Sequence, residues 1–482
     1  MTAHFFATAL RTAAAAPAAA AMLTVLLSAA GAARAQCYAP QQELLASDGT
    51  TSDELGRSLA VSGAAALVGA WRDDHVASLC GSAYVYRFEG DGWALEQKLL
   101  PPDGRSADFF GWAVDLDGDT AVIGAVSDDD GAENAGAVYV YRFDGAHWQF
   151  EAELHSADVA AGDQFGGAVA IQGNTLLVGA DDDDDNGTDS GSAYVFRREN
   201  GVWSERQKLH PSTPSSFEHF GFAVDLYGDV AVVGAYAGPT QIFRGTAYVY
   251  RFDGASWQEE ARLWGSQSVS GDFFAASVAV AGNTILCGAR WADIGVLDCG
   301  EAYLFRNDGE GWVERQRLAE PAPGGSDGFG FNVALSDGVA LVGVPNRDRP
   351  QGARFGHVRL YRDTGAGWVS EPPLVAGDGA AEDRFGDGIA LSRSFALLGA
   401  TWHDHRADNA GAAYVFDVAA CAPDLPGDLD GDGDVDLTDL SLLLAAFGSC
   451  LGDPDFDPNA DLDNTLCVDL TDLSILLANF GL

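Results

Sequence analysis

The chain is short of basic residues, and this shortage excludes two kinds of partner. Only 27 Lys and Arg stand against 71 Asp and Glu, which gives a formal net charge of −44 at pH 7. Nucleic acids and anionic lipid surfaces are bound through basic patches, so neither is an expected partner. The acidic excess favours solubility and cation binding, and part of it is expected to be only a solvated surface.

Long apolar segments are missing except at the N-terminus. There Arg11 precedes an apolar stretch over residues 13–30, and Ala33-Arg34-Ala35 forms a small-x-small cleavage site. This pattern predicts a cleaved secretory signal over residues 1–35, and no later segment is long and apolar enough to span a bilayer. We expect the mature chain to be secreted or held at the cell surface.

A repeat of about 55 residues organises the next 385 residues. A Phe-Gly pair, or its equivalent, begins at residues 55, 110, 165, 220, 274, 329 and 385. Thirteen residues after the second member of each pair stands a Gly, and this Gly is followed by Ala in six of the seven copies. A Gly-x-Ala-Tyr-Val-Tyr segment and a single Trp complete the pattern in most copies.

Each copy predicts four short strands: one of small residues, one fully apolar, one aromatic and β-branched, and one polar strand that begins at the Trp. Small side chains suit a crowded axis, and a polar strand suits an exposed edge. Seven such units predict an all-β fold, a seven-bladed β-propeller over residues 36–420. A linker over residues 421–427 and a small α-helical domain over residues 428–482 follow.

The last copy ends after its third strand, and residues 37–45 match the missing fourth strand. The N-terminal strand is therefore expected to complete the last blade and to place Cys37 beside Cys421, where a disulfide would close the ring. Two further bridges are expected, Cys287–Cys299 in the fifth blade and Cys450–Cys467 in the tail. Cys80 is the odd thiol among the seven cysteines.

Acidic residues recur at two places in the repeat. One stands three residues before the second member of each Phe-Gly pair, at Asp53, Asp108, Asp163, Glu218, Asp272, Asp327 and Asp383. The other follows the Gly-Ala alanine slot by four residues, at Asp74, Asp129, Asp184, Asp293, Asp348 and Asp404. Such periodic acids are expected to bond backbone N–H groups in turns.

Three loops offer a metal-binding alternative. The run Asp181–Asp185 and its neighbour Asp128–Asp130 could hold calcium through hard oxygen ligands. The first and last blades carry His75, His403 and His405 in equivalent loops, and these could bind zinc together with nearby carboxylates. The competing interpretation is that these histidines are only solvated.

The tail carries the clearest metal motif. A twelve-residue loop with acids at the calcium-ligand places and Gly433 at the sixth place predicts a Ca2+ site. The expected ligands are Asp428, Asp430, Asp432, Asp434 through its carbonyl group, Asp436 and Asp439. A second loop is expected to use Asp461, Asp463, Thr465, Asp469 and Asp472. Its sixth place holds Leu466, so less than full calcium affinity is expected there.

These patterns resemble two known families. The seven anchors over residues 37–420 resemble the FG-GAP repeats of integrin α-subunit propellers, although their Asp-rich calcium loops between the first two strands have no counterpart here. The paired loop–helix units over residues 428–482 resemble a type I dockerin. That resemblance implies that calcium folds the tail and that the tail docks to a cohesin-like partner. The matching recognition residues are Leu437, Thr438, Leu470 and Thr471.

A non-enzymatic binding or adhesion protein is the leading functional hypothesis. Its propeller would bind a protein or glycan, and its tail would dock to a cohesin-like or envelope partner. The rival is an extracellular polysaccharide-active enzyme or enzyme-complex subunit, which needs a carboxylate pair in a cleft. No acidic residue stands out from the repeats in this way, and no Ser-His-Asp pattern, phosphate loop or HExxH motif is present. A third reading is a structural spacer.

Overall fold

Each repeat forms one four-stranded antiparallel sheet, and there are seven such sheets. The structure is a computed structural model that describes residues 42–90, 92–237, 244–336, 338–348, 354–404, 407–418, 437–450 and 467–478, with residues 429, 435, 460 and 462. The predicted signal over residues 1–35 lies outside these ranges. The all-β, seven-bladed propeller is confirmed.

The strands take the same order in every blade. The innermost strands are β2 (Leu59–Ser62), β6 (Phe110–Asp117), β10 (Ala168–Gln172), β14 (Phe220–Tyr227), β18 (Phe274–Ala281), β22 (Val333–Ser336) and β26 (Phe385–Leu391). The second strands are β3 (Ala65–Ala70), β7 (Thr120–Ala125), β11 (Thr175–Ala180), β15 (Val230–Ala235), β19 (Thr284–Ala289), β23 (Val339–Val344) and β27 (Phe395–Ala400). The third strands are β4 (Ser82–Phe88), β8 (Ala137–Phe143), β12 (Ser192–Glu199), β16 (Thr246–Phe252), β20 (Glu301–Asn307), β24 (His357–Asp363) and β28 (Ala412–Asp417). The outer strands are β5 (Trp93–Leu99), β9 (Trp148–Leu154), β13 (Val202–Leu209), β17 (Trp257–Leu263), β21 (Trp312–Leu318), β25 (Trp368–Ser370) and β1 (Gln42–Leu44).

Burial explains the character of each strand. The apolar second strands β3 and β7 are buried along their whole length, because sheets cover both of their faces. The outer strand β5 is buried only at its ends. In the sixth blade the outer strand β25 has only three residues, because Pro372 and Pro373 follow it and proline has no N–H to continue the ladder.

The Phe-Gly pairs join each blade to the next. The phenyl rings of Phe110 and Phe165 are fully buried, and the Phe110 ring packs edge-on against Tyr139 at 5.3 Å between centroids. Phe110 also makes a parallel bridge to Gly81 of the preceding blade. A Cβ on Gly81 would lie 2.0 Å from the carbonyl oxygen of Phe110, so this contact requires glycine.

The same bridge joins the last blade to the first. Leu55 pairs in parallel with Gly411, as Phe110 pairs with Gly81. The seven blades therefore form a closed ring in the described residues, whatever the chain does before residue 42.

The strand β1 lies at the outer edge of the seventh blade. It pairs antiparallel with β28, with Gln42 opposite Val415 and Leu44 opposite Ala413. The side chain of Gln42 donates to the carbonyl of Trp93 at 2.5 Å and accepts from its N–H at 2.6 Å. The same two-bond clasp joins Gln97 to Trp148 at the next junction.

The second compact unit runs from Asp417 to Leu482. Its described elements are the helices α1 (Leu437–Ala446) and α2 (Leu470–Ala478), which pack through a small apolar cluster. Leu443 and Leu476 of that cluster are fully buried. Neither helix is long and apolar enough to cross a membrane, and the same holds for the rest of the described chain.

Candidate functional site

The repeats are alike where they build the fold and unlike around the central axis. The residue that follows each Phe-Gly pair differs in almost every blade: Arg57, Trp112, Gly167, Phe222, Ala276, Phe331 and Asp387. The residue that follows each Gly-Ala pair also differs: Trp71, Val126, Asp181, Tyr236, Arg290, Pro345 and Thr401. Inner strands begin, and second strands end, at one face of the ring. We call these fourteen residues the channel mouth.

A central cavity of about 360 Å3 connects to this mouth, and all seven blades line it. Just inside the mouth the inner strands contribute mostly small residues, such as Ser58, Ala113 and Ala223. The expectation that small residues line the axis therefore holds inside the channel, whereas the mouth itself carries large and charged side chains.

Arginines and aromatic rings dominate the mouth. The guanidinium of Arg57 lies 4.1 Å from the ring centroid of Trp112. Four rings surround the guanidinium of Arg290 at 5.2 to 5.8 Å, namely Phe222, Phe273, Trp291 and Phe331. A third arginine, Arg384, lies over Phe331 and Trp402. Such contacts hold each guanidinium in place through the electron-rich ring faces.

The acids of the mouth are already engaged. Asp387 pairs with Arg384 at 3.0 Å and accepts a hydrogen bond from the hydroxyl of Thr401 at 2.7 Å. Burial lowers the pKa of Arg57, and it also lowers that of Arg290, where the neighbouring Arg57 charge adds to the effect. The mouth therefore gathers buried arginines on a strongly acidic protein.

A second charged group lies at the edge of the mouth in blades three and four. The Nδ1 atom of His219 is 3.0 Å from Asp182 and 3.8 Å from Asp181, and its ring stacks on Tyr236 at 4.6 Å. Burial and the Asp182 charge raise the pKa of Asp181 to about 7. Burial opposes protonation of His219, but both carboxylates outweigh it and raise its pKa. Single ligand atoms of Asp181, Asp182 and His219 lie within 4.8 Å of one another, close enough to share a metal ion.

The periodic acids before the Phe-Gly pairs serve the fold. Each accepts a hydrogen bond from the backbone N–H three residues earlier, as Asp53 does from Thr50 at 2.6 Å. The same bond is made by Asp108, Asp163, Glu218, Asp272, Asp327 and Asp383. The predicted turn role of these seven residues is confirmed.

The second periodic acid also bonds to backbone. Asp74 accepts from the N–H of Leu79, five residues later, at 2.6 Å. Equivalent bonds, five or six residues long, are made by Asp129, Asp184, Asp293, Asp348 and Asp404. In the loops that are candidates for calcium and zinc, these aspartates thus stabilise the loop by accepting hydrogen bonds from its backbone.

An ammonium group already fills the centre of the five-aspartate loop. The Nζ atom of Lys208 lies 2.8 Å from Asp183 and 2.6 Å from Asp185. In blade one, Lys98 lies 2.7 Å from both Asp48 and Asp73. A lysine charge therefore stands where a calcium ion was considered in the third blade.

Blade two breaks this pattern. Glu153 pairs with Tyr139 across the sheet just as Lys98 pairs with Tyr84. Carboxylate oxygens of Asp103, Asp130 and Glu153 come within 4.8 Å of one another. Burial and Asp103 raise the pKa of Glu153. The nearby basic side chains are Arg105, which bonds Asp130, and His155, which lies 2.8 Å from Glu153.

The histidines of the candidate zinc loops have separate surroundings. His403 is buried, with Nδ1 3.1 Å from Asp383 and Nε2 3.2 Å from Glu43 of β1. His75 is exposed and lies 3.7 Å from Asp48, while His405 lies outside the described residues. Among the described residues, no zinc-like set joins His75 to His403.

The comparison with known families agrees with this architecture. The FG-GAP repeat family matches residues 38–86, 93–141, 148–196, 203–250, 257–305 and 368–416, together more than half of the chain. The chain belongs to the FG-GAP repeat family. No curated protein matches it closely enough to add a relative.

Each FG-GAP match crosses a blade boundary. The segment 38–86 includes the outer strand β1 of the seventh blade and ends in the third strand of the first. The stretch 306–367, which contains the sixth blade's three inner strands, falls between matches. That blade replaces the Gly-Ala pair by Gly343-Val344 and has the shortened strand β25.

The cysteines of this FG-GAP chain only partly follow expectation. Cys450 and Cys467 form a disulfide, as predicted. Cys287 and Cys299 are both free and buried, so the bridge expected between them is wrong. Cys287 lies opposite Tyr303 in the sheet, and Cys299 precedes that residue by four, a separation along the strand that a disulfide cannot span. Cys80 is a buried free thiol, and Cys37 and Cys421 lie outside the described residues.

The tail shows only part of its predicted calcium site. Asp439 and Asp472 are fully buried at the start of the two helices. The other predicted calcium ligands lie outside the described residues, except Asp469: these are Asp428, Asp430, Asp432, Asp434, Asp436, Asp461, Asp463 and Thr465. Asp469 is described, and its backbone N–H donates to Asp472 at 2.7 Å.

The expected docking residues are exposed. Leu437 and Leu470 each have 72% of their surface accessible, and Thr438 and Thr471 beside them are exposed as well. The two pairs begin α1 and α2 at equivalent places, which is the arrangement that a repeated docking surface needs.

Sequence reasoning missed the channel mouth. Asp181 and Asp387 do stand apart from their equivalents in the other blades, and aromatic residues surround the same ring of positions. The signal that could have found them was the residue after each Phe-Gly pair, compared across the seven copies.

Proposed function

We propose that this FG-GAP propeller is a binding protein of adhesion type, without catalytic activity, and that its recognition site is the channel mouth. FG-GAP propellers point to such a role. One observation carries the proposal: side chains that differ between most blades are gathered on a scaffold that otherwise repeats seven times. A closed ring supplies a rigid frame, so unlike residues from separate blades can act together on one ligand.

Affinity capture with the full chain tests the proposal. Binding partners from the producing cell's envelope are collected with wild type, with Trp112→Ala and with Val313→Ala, whose side chain is 50% exposed on the outer strand β21. We expect loss of capture with Trp112→Ala alone, provided both variants melt like wild type. Loss with Val313→Ala and retention with Trp112→Ala would place recognition on the outer strands.

We propose that calcium binds the two loops of the tail and stabilises its fold. The Oδ1 atom of the fully buried Asp439 accepts from the N–H of Leu429 at 2.6 Å, so the twelfth-place side chain is tied to the second residue of its loop. A buried carboxylate that closes an acid-rich loop fits a hard cation. Bound calcium would supply positive charge to the carboxylates that the sequence gathers in each loop.

Docking through the tail is a further part of this proposal. The exposed Leu437 and Leu470 would contact a cohesin-like or envelope protein, which would attach the propeller to a larger assembly. Export through a cleaved signal would bring the chain to that partner. A mature N-terminus at Gln36, found by mass spectrometry of the native protein, would support export.

Ring closure by a disulfide is proposed on the same basis. The first residue of β1, Gln42, pairs with Val415 near the end of β28, and Cys37 precedes β1 in the sequence by five residues while Cys421 follows β28 by four. A peptide containing both cysteines, detected without reduction, would support this bridge.

Polysaccharide cleavage is a second candidate function, and the carboxyl group of Asp181 supports it. Asp181 lines the central cavity and has a pKa raised to about 7, as a general acid requires. Sugar release that disappears in Asp181→Asn, with binding retained, would establish the enzyme and replace the non-catalytic proposal.

A further inference from the structure

Two arginines at the channel mouth, Arg57 and Arg290, form no salt bridge among the described residues. We propose that Arg57 and Arg290 bind the carboxylate of an acidic sugar residue, a uronate, that enters the central cavity. This inference names the ligand class of the channel mouth and therefore rests on the proposed recognition role of that mouth.

The local ion pairs show which arginines are available. Arg72 pairs with Glu54 at 2.9 Å and Arg384 pairs with Asp387 at 3.0 Å. Arg57 and Arg290 also line or border the cavity, but no ion pair or side-chain hydrogen bond engages either guanidinium within the described chain. The nearby Glu54 and Asp387 thus form their salt bridges with the other two arginines.

Burial makes the lack of a hydrogen-bond acceptor unfavourable for Arg290. The Nε atom of Arg290 is buried and has no acceptor in the described residues, and the faces around it are aromatic rings rather than carboxylates. A buried charged donor without an acceptor loses the free energy of hydration, and an anion placed there would restore it. Burial lowers the pKa of both arginines, and the Arg57 charge lowers that of Arg290 further, although Asp387 partly offsets this at both.

The shape of the guanidinium group favours a carboxylate as the ligand's anionic group. A planar guanidinium matches a carboxylate through two parallel N–H···O bonds. Arg57 and Arg290 line the same cavity, so a carboxylate that enters it meets both groups. The formal net charge of −44 makes a chance grouping of unpaired cations at the axis unexpected.

The volume and lining of the cavity indicate which kind of molecule bears the carboxylate. Its volume of about 360 Å3 accepts a small polar ring and not a folded segment of a protein. Besides the carboxyl groups of Asp181 and Asp387, the lining has neutral hydrogen-bonding side chains such as Ser58, Gln164 and Asn332, and the rings of Trp112, Phe222 and Phe331. Hydroxyl groups around a sugar ring can use these amides and hydroxyls, whereas an acidic peptide side chain would need only the arginines.

Calorimetry with defined oligosaccharides tests the inference. Trigalacturonate is the probe, and galactotriose, which has the same ring without the carboxylate, is the matched control. The full chain is expected to bind trigalacturonate and to bind galactotriose at least tenfold more weakly, with quenching of tryptophan fluorescence because Trp71 and Trp112 lie at the mouth.

Arginine variants locate the binding. Arg57→Gln and Arg290→Gln should each weaken trigalacturonate binding by roughly tenfold to a hundredfold, the loss of one charge-assisted hydrogen bond. Arg142→Gln is the control because it removes an equal charge far from the mouth. Arg142 pairs with Asp119 at the end of its sheet opposite the mouth. Melting temperatures confirm that the variants are folded.

Three results would overturn the inference. Equal binding of galactotriose and trigalacturonate, lost in Trp112→Ala but kept in the arginine variants, would leave the mouth as the recognition site and remove the anion. Binding of polyglutamate with the same arginine dependence, and no binding of trigalacturonate, would replace the sugar by an acidic peptide. No binding of either acid would reject the carboxylate ligand, while the envelope capture separately decides the role of the mouth.

Discussion

At the scale of single residues, equivalent positions can be compared seven times within one molecule. The position opposite the first tyrosine of each third strand is Lys98 in blade one, Glu153 in blade two and Lys208 in blade three. The ammonium group pairs with two aspartates in blade one and with three in blade three. In blade two the same site gathers carboxylates instead, so the charge balance there is worse.

Glu153→Lys is therefore expected to stabilise the propeller. The new ammonium group should meet Asp103 and Asp128 as Lys98 meets Asp48 and Asp73, with a gain of about 1 kcal/mol because the site is partly solvated. The reciprocal change Lys98→Glu should cost about 3 kcal/mol, since it leaves the buried Asp73 unpaired. Thermal unfolding measures both. A destabilised Glu153→Lys would show that blade two already holds another cation.

The pH dependence of Glu153 gives a separate prediction. Its pKa is raised in the folded state by burial and by Asp103, so the folded protein binds this proton more readily than the unfolded chain. Ionisation of Glu153 then destabilises the fold, and acidification relieves this cost. Glu153→Gln should raise the melting temperature at pH 7, with the difference fading below about pH 4. A difference that is constant with pH would contradict this sign.

At the scale of secondary-structure elements, the strand β1 is tied to the seventh blade by charge as well as by backbone. His403 lies between Asp383 of its own blade and Glu43 of β1. Burial opposes protonation of the ring, but the carboxylates of Asp383 and Glu43 outweigh it and raise the pKa of His403 to about 10.

His403→Gln should remove a pH-dependent part of the stability. A histidine whose folded pKa is raised contributes fully below its unfolded pKa of about 6.5, and the contribution is lost as the pH rises through about 10. We expect a loss on the order of 3 kcal/mol at pH 6 that vanishes above pH 10. His147→Gln, in an exposed hairpin of blade two, is the control. Equal losses at pH 6 and pH 10.5 would refute the charge-based role.

Repetition explains how much of these elements could be predicted. The spacing of the Phe-Gly pairs and of the Trp residues is enough to predict the four strands of each blade, because each copy supports the others. Register inside a blade is not visible in the spacing, and so Cys287 was expected beside Cys299 although it lies opposite Tyr303. The partners of Arg57 and Arg290 depend on contacts between distant blades, which no single repeat contains.

At the scale of the whole molecule, the propeller and the tail form separate compact units. If calcium folds the tail, hydrogen exchange of the full chain should show α1 and α2 protected in calcium and exposed in chelator. Propeller strands such as β7 are the internal control and should not change. Protection of α1 should need less calcium than protection of α2, because Leu466 replaces the turn glycine of the second loop. Exchange that ignores calcium in both helices would contradict the predicted loops.

The account as a whole depends on recognition at the channel mouth, and site-specific photo-crosslinking tests this most directly. A photoreactive benzoyl-phenylalanine is placed at Trp112 in the mouth or at Val313 on the outer strand β21, each in the full chain, and both are exposed to envelope extract of the producing cells. The account predicts crosslinked partners from position 112 and none from position 313. Crosslinks from position 313 alone would contradict it.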